Sequence, residues 1–240
     1  MSLEQEVQRL HKVYRHYRES GIAEARWSSA NPGNQMIQWE RAQALGALLA
    51  QWGFTPMARR RVLDIGCGSG EVLANFMHWG ALPHNLYGID LLSESVEMAK
   101  RQFPKLHFQQ GNAEHLAFPD AFFDLVGQFT VFTSILDDRM ARNIAGEIRR
   151  VLKPGGAVLW YDLRFNNPWN THVKGITRAQ IGALFPGFRA DLRSVTLLPP
   201  LARRLDRATR MFYPILSKIP AFRTHYIGLL VKPREKPGTS

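Results

Sequence analysis

Short continuous apolar runs alternate with helical periodicity through the middle of the chain. Arg61–Ile65, Asn85–Ile89, Leu106–Gln109, Phe123–Gln128 and Ala157–Tyr161 each predict a buried strand. Gly70–Trp79, Ser93–Gln102 and Arg139–Leu152 predict the helices between them. Strands that are apolar on both faces, separated by helices, predict a parallel sheet covered by helices. The ends carry other patterns. Residues 1–60 read as helical, with Met36–Trp52 the clearest amphipathic stretch. Beyond the fifth strand come a polar loop at Asn166–Asn170, a short helix at Thr177–Leu184 and two more strands, Leu192–Leu198 and His225–Val231. The expected organisation is one α/β domain over residues 1–240: a helical cap (1–60), a core (61–165) and a C-terminal part (166–240) with an insertion at 199–224.

Composition narrows the class. Of 240 residues, 45% are hydrophobic and 21% charged, values of an ordinary globular domain, so disordered, collagen-like and coiled-coil descriptions fail. Cys67 is the single cysteine, which excludes an internally disulfide-stapled scaffold. The longest charge-free stretch, Val72–Ile89, contains Asn75, His78, Pro83, His84 and Asn85 and is a poor membrane span. Residues 1–18 lack a signal-peptide apolar region. A cytoplasmic location is expected.

Charge changes the picture more. The net charge is +11, from 31 Lys and Arg against 20 Asp and Glu, a balance that points to an anionic partner. Residues 199–240 hold nine of the basic and two of the acidic side chains.

The strongest chemical signal is Val62–Gly70, Val-Leu-Asp-Ile-Gly-Cys-Gly-Ser-Gly. An apolar strand runs into Gly66, Gly68 and Gly70, and a helix follows. The glycines let the backbone turn tightly and approach a ligand, and the helix start offers free N–H groups. Asp90 ends the next strand, 20 residues on, where a carboxylate can accept the hydroxyl protons of a ribose. A dinucleotide and S-adenosylmethionine both meet this description. For a dinucleotide the third glycine falls one residue early, at Gly70, and Glu71 stands where it belongs. Asp64, two residues before Gly66, suits a cationic group such as an ammonium.

These residues resemble the class I S-adenosylmethionine-dependent methyltransferases, in the branch of quinone and natural-product methyltransferases. The likeness covers about residues 35–165. It rests on Asp64–Gly70, Gly88-Ile-Asp90, Gly111-Asn-Ala113, Phe123-Asp-Leu-Val126 and Leu152-Lys-Pro-Gly-Gly156. It implies a Rossmann-like seven-stranded sheet of order 3-2-1-4-5-7-6 with strand seven antiparallel. It also implies S-adenosylmethionine as cofactor and S-adenosylhomocysteine as product. Within the loop Asp64, Gly66, Cys67, Gly68 and Gly70 form the cradle, with Cys67 a small packing residue rather than a nucleophile. Asp90 holds the ribose, Leu91 packs on the adenine, and Asn112 and Ala113 read its edge. Gln128 and Phe129 lie by the reacting sulfonium. No metal site is implied.

Methyl transfer needs alignment and exclusion of water, and a base only where the acceptor is an un-ionised hydroxyl. Asp162, at the end of the fifth strand, and His172, in the loop beyond, are the candidates for that base. Tyr14, Tyr17, Trp27 and Asn31–Asn34 form a candidate lid. The expected acceptor is a small molecule, a glycan or a lipid-linked molecule methylated at oxygen. An NAD-dependent oxidoreductase and a non-catalytic binding module are the alternatives. On one continuous helical wheel, Leu201, Leu205, Ala208, Phe212, Ile215, Leu216 and Ile219 share a face opposite Arg203, Arg207, Arg210 and Lys218. The insertion is therefore either a lid over the acceptor pocket, the favoured reading, or a peripheral contact with an anionic membrane. Nucleic acid ranks below both, because no RNA-binding module accompanies the charge.

Overall fold

In the computed structural model, β1 (Val62–Ile65), β2 (Leu86–Asp90), β3 (His107–Gln110), β4 (Phe123–Phe129), β5 (Leu152–Leu163), β6 (Arg189–Leu197) and β7 (Arg223–Val231) form one sheet. Its order is β3-β2-β1-β4-β5-β7-β6. The first five strands run parallel, and β7 runs antiparallel between β5 and β6. The structure describes residues 2–22, 28–168 and 170–234. Trp27 of the expected lid, Trp169 of the polar loop and residues 235–240 lie outside these.

Every residue of β1 and β4 is buried, as expected of central parallel strands covered on both faces. On one face, Leu45, Leu48 and Leu49 of α2 (Pro32–Gln51) pack with Phe76, Leu125 and Leu159. On the other, α5 (Asp138–Val151) brings Met140, Ile144 and Ile148 against Val126, Phe132 and Trp160. The burial of Met140, Ala141, Ile144, Ala145, Ile148 and Val151 follows the three-to-four spacing of a half-buried helix. Asp137 starts it by accepting the N–H groups of Arg139 and Met140.

The helix predicted over Gly70–Trp79 is shorter. It is α3 (Glu71–Ala74), continued as a 3₁₀ segment at Asn75–Trp79 and stopped by Gly80 at φ 86°. Also placed are α4 (Ser93–Gln102), α6 (Arg178–Leu184) and α1 (Leu3–Glu19).

The insertion departs from the wheel. It forms α7 (Pro199–Arg204), a 3₁₀ turn at Asp206–Ala208 and α8 (Thr209–Leu216), with Pro214 accommodated inside α8. Asp206 takes a left-handed φ of 43°, which rotates α8 out of phase with α7. The seven wheel positions therefore do not share a face. Leu201, Leu205 and Leu216 pack with Tyr213 against Met36 and Ile37 of α2, whereas Phe212, Ile215 and Ile219 are exposed.

Candidate active site

The Gly66–Gly70 loop joins β1 to α3 over the carboxyl ends of the central strands. Gly66 has φ 66°, and a Cβ there would stand 2.7 Å from Val131 Cγ2. Gly70 has φ 84°, and its Cβ would meet Phe108 Cζ at 2.7 Å. Both positions need glycine, for backbone conformation and for space. The N–H groups of Gly66 and Cys67 donate to Ile89 O at 2.8 and 3.0 Å, tying the loop to β2.

Asp90 ends β2 beneath this loop. Its Oδ2 accepts from Gly68 N and its Oδ1 from Leu92 N, both at 2.9 Å. Burial pushes the Asp90 carboxyl up, and these two N–H groups offset part of that. Each oxygen keeps a lone pair for a further donor.

A cavity of about 480 Å³ opens here. Gly66, Gly68, Asp90, Leu91, Asn112, Ala113 and Phe129 line it, so the structure brings these expected residues together around one space. Asp64, Cys67, Gly70 and Gln128 stand behind the wall. Asp64 is held on β1 between Gly88 of β2 and Gly127 of β4. Its Oδ1 is buried and has no hydrogen-bond partner among the described residues. Burial raises its carboxyl well above the usual range, against the pull of Arg41 and with the push of Asp90. Burial likewise pushes the Cys67 thiol up, consistent with packing rather than nucleophilic use. Gln128 accepts from Val131 N at 3.3 Å and so supports a wall residue.

The roof comes from α1. Val7, Leu10, Tyr14 and Arg18 line the cavity, and buried Glu6 clamps the helix down. Glu6 Oε1 accepts from Leu136 N at 2.6 Å, and its carboxylate pairs with Arg9 at 2.7 Å. Burial raises the Glu6 carboxyl, but Arg9 and the Leu136 N–H outweigh it and hold the group below its ordinary value. Tyr14 Oη lies 2.7 Å from Ser134 Oγ. Of these roof residues, Tyr14 belongs to the candidate lid expected from the sequence. The spacing of Leu3, Val7, Leu10 and Tyr14 carries the signal for the others.

Neither expected base is among the residues that line this cavity. Asp162 is wholly buried; its oxygens accept from Thr133 N and Leu163 N, both at 3.0 Å. Burial pushes it up to about 8, despite those N–H groups. It turns inward to brace Thr133, in the loop after β4. His172 is exposed, with its ring 6.5 Å from that of Tyr17. Tyr17 donates to Asn170 Oδ1 at 3.3 Å, so α1 also meets the polar loop.

A second, more polar cavity of about 270 Å³ adjoins the first at Thr130, which lines both. Arg41, Gln38 and Asn34 of α2, Tyr161, His225, Arg203 and the acid Glu71 all contribute to it. Arg41 has no ion pair among the described residues and lies 5.7 Å and 5.4 Å from the ring centroids of Phe129 and Tyr161. Thr130 reaches its place with φ 63° and donates its N–H to Tyr161 O at 2.7 Å. No motif announced Arg41 or His225.

The donor set fits S-adenosylmethionine. A glycine cradle that a Cβ would fill, an acid under it with spare lone pairs, an orphaned buried carboxylate behind it and an apolar slot beside Leu91 and Ala113 match the parts of that molecule. Comparison with known proteins agrees. Residues 63–160 match the family model described as a methyltransferase domain. Over 133 residues the chain is 33% identical to phthiotriol/phenolphthiotriol dimycocerosates methyltransferase 1 of Mycobacterium ulcerans, covering 52% of this chain and 46% of that protein. It is 37% identical over 107 residues to a fatty-acid O-methyltransferase of Mycolicibacterium smegmatis, covering 44% and 38%. The chain thus spans about half the length, or less, of these relatives. A crystal structure of a SAM-dependent methyltransferase from Archaeoglobus fulgidus superposes with a TM-score of 0.56 at 17% identity, over 80% of this chain and 94% of that one.

Proposed function

We propose that this chain, a class I S-adenosylmethionine-dependent methyltransferase by its methyltransferase-domain segment and its fold, methylates an oxygen of an anionic, lipid-like acceptor. The observation that carries the cofactor half is the meeting of Gly66, Gly68, Asp90, Asn112 and Ala113 around one cavity. When bound, S-adenosylmethionine supplies a methyl group already activated on a sulfonium.

The protein's share is placement. Asp90 offers its spare lone pairs to ribose hydroxyls, and Leu91 and Ala113 offer an apolar slot for adenine. α1 excludes water from above. The smaller cavity takes the acceptor's polar end. Its unpaired cation, Arg41, suits a carboxylate or phenolate, and such an oxygen is already ionised and needs no base. That reading accounts for a site whose two candidate bases both point elsewhere. Asp162 then serves as a positioning residue through Thr133. One relative named for fatty-acid O-methylation acts, by its name, on such an acid. The oxidoreductase alternative is not favoured, since the matched segment is that of methyltransferases.

Calorimetry with S-adenosylhomocysteine tests the cofactor half. The wild type should bind and Asp90→Ala should bind at least about 10-fold more weakly, the loss of one charge-assisted contact. No binding by the wild type, or equal binding by the variant, overturns it. Methyl transfer from labelled cofactor to long-chain fatty acids, their alcohols and their amides tests the acceptor half, with the acids expected to react. Arg41→Gln should raise KM for the acid and leave cofactor affinity unchanged. If cofactor affinity falls instead, Arg41 belongs to the cofactor's own carboxylate.

A further inference from the structure

The insertion between β6 and β7 presents two apolar faces, and only one is covered. Tyr213 is buried and Leu216 half-buried on α2, as the inner face of α8. Met211, Phe212, Ile215, Ile219 and Phe222 are exposed, Met211 and Ile215 to 61% and 58%. Five large apolar side chains within twelve residues form a patch too dense to be incidental surface.

Exposed cations border it. Arg204, Arg207, Arg210 and Lys218 are all exposed. Among the described residues none of the four has an ion pair. The one acid in the segment is Asp206. With four cations against one acid in the segment, the patch is at once apolar and positive.

We infer that this face, residues 204–222, is a docking surface for an anionic lipid bilayer. The combination is what an interfacial element requires. Apolar side chains sink into the acyl boundary while neighbouring cations stay at the headgroups. A second copy of the chain is a poor occupant, because pairing like with like sets four arginines and lysines against the same four. RNA is a poor occupant as well, since only Phe212 and Phe222 of the five offer a stacking surface, and Met211, Ile215 and Ile219 would be buried against sugar and phosphate. No helix among the described residues is long and apolar enough to cross a membrane, so the contact is peripheral.

The position of the surface gives it a use. Pro199 and Arg203 of α7, the first turn of the same insertion, line the smaller cavity. A chain docked through α8 holds that cavity next to the bilayer surface, where an acyl-chain acceptor resides. This use rests on the acceptor reading above; the docking itself does not.

Vesicle sedimentation of the full chain, without cofactor, tests it. Vesicles are phosphatidylcholine alone or mixed with about one-third phosphatidylglycerol, at about 50 mM and about 500 mM NaCl to vary screening. The wild type should pellet at least about 10-fold better with the anionic vesicles at low salt. Arg204→Gln/Arg207→Gln/Arg210→Gln/Lys218→Gln should abolish that preference, and Phe212→Ser/Ile215→Ser should abolish the part that survives high salt. Both variants alter exposed side chains and should bind S-adenosylhomocysteine as the wild type does, which shows that they are folded. Equal pelleting with both vesicle types, or wild-type pelleting by either variant, overturns the inference. So does a dimer in solution that Phe212→Ser/Ile215→Ser splits, or binding to single-stranded RNA without binding to vesicles. Loss of cofactor binding by the wild type would sink the proposed function and leave the docking result standing.

Discussion

The imidazole of His225 lies flat on the phenol ring of Tyr161, with centroids 4.6 Å apart and planes 6° from parallel. The two residues sit diagonally across the β5–β7 pair, where Tyr161 faces Ile227 and Leu163 faces His225. The Thr224 hydroxyl donates to Thr196 O at 3.1 Å, so it accepts from His225 Nδ1, 2.8 Å away, and Nε2 is left as an acceptor. Burial, aided by the charge of Arg41, pushes His225 down to about 3.

That depression has a sign. An unfolded histidine titrates near ~6.5. Between that value and about 3 the unfolded chain holds a proton that the folded chain does not. Stability is therefore intact above the unfolded value and falls as pH drops through the window. His225→Phe, which keeps the flat stack, should remove this component. Urea midpoints at two pH values, one on each side of the unfolded value, compare the chains; an equal acid loss in both rejects the assignment.

Asp162 acts in the opposite sense. Its folded value of about 8 lies above the unfolded ~3.9. Across that range the folded chain holds the proton and the unfolded one releases it, so stability falls as pH rises and levels off above about 8. Asp162→Asn should flatten this component relative to the wild type. It should also disturb the Thr133 loop, since the amide offers one acceptor to two N–H donors. If the difference in urea midpoint between the two chains does not change with pH, Asp162 is ionised in the fold.

Two glycines of the loop should behave differently. At Gly68, φ is 53° and no atom lies within 4 Å of an added Cβ. Gly68→Ala should cost folding stability only the conformational term, about 1 kcal/mol. Gly66→Ala adds a clash with Val131 at 2.7 Å and moves a wall of the larger cavity. It should weaken S-adenosylhomocysteine binding at least about 10-fold, roughly 1.4 kcal/mol. Val131→Ala in the Gly66→Ala background should recover part of it. Equal losses at the two positions, or no recovery, count against this account of the wall.

The Glu6 clamp should hold the roof. Glu6→Gln keeps one acceptor for Leu136 N and loses the two-oxygen pairing with Arg9. It should destabilise α1 by about 1–3 kcal/mol. Hydrogen exchange reads this directly: amides of residues 3–19 should exchange faster while those of β4 do not. Uniform acceleration across both would make Glu6 a determinant of the whole fold instead.

Much of this was legible in the chain. The periodicity bounds Ser93–Gln102 as the structure has it, and the predicted strands lie within three residues of their observed ends except the fifth, which starts at Leu152 rather than Ala157. Fully apolar runs fix a doubly covered strand, and three-to-four spacing fixes a half-buried helix. The turn from β1 into α3 and Asp90 after β2 were legible because their chemistry is local: a glycine where φ is positive, an acid where a strand ends. The crossed order of the last two strands came from family resemblance, since the hairpin-like pattern alone gives no neighbour.

What tertiary structure alone decided is which side chains face each other. On a strand buried on both faces, alternation does not say which face is the site, so Asp162 turned inward and Tyr161 faced the smaller cavity. Arg41, Tyr161 and His225 come from α2, β5 and β7, and no sequence spacing relates them. In the insertion the wheel assumed an unbroken helix. The left-handed φ of Asp206 cancelled its phase and turned Phe212, Ile215 and Ile219 outward. Periodicity carries across a helix only while each residue keeps the same rotation, and one non-glycine residue with positive φ is enough to reset it.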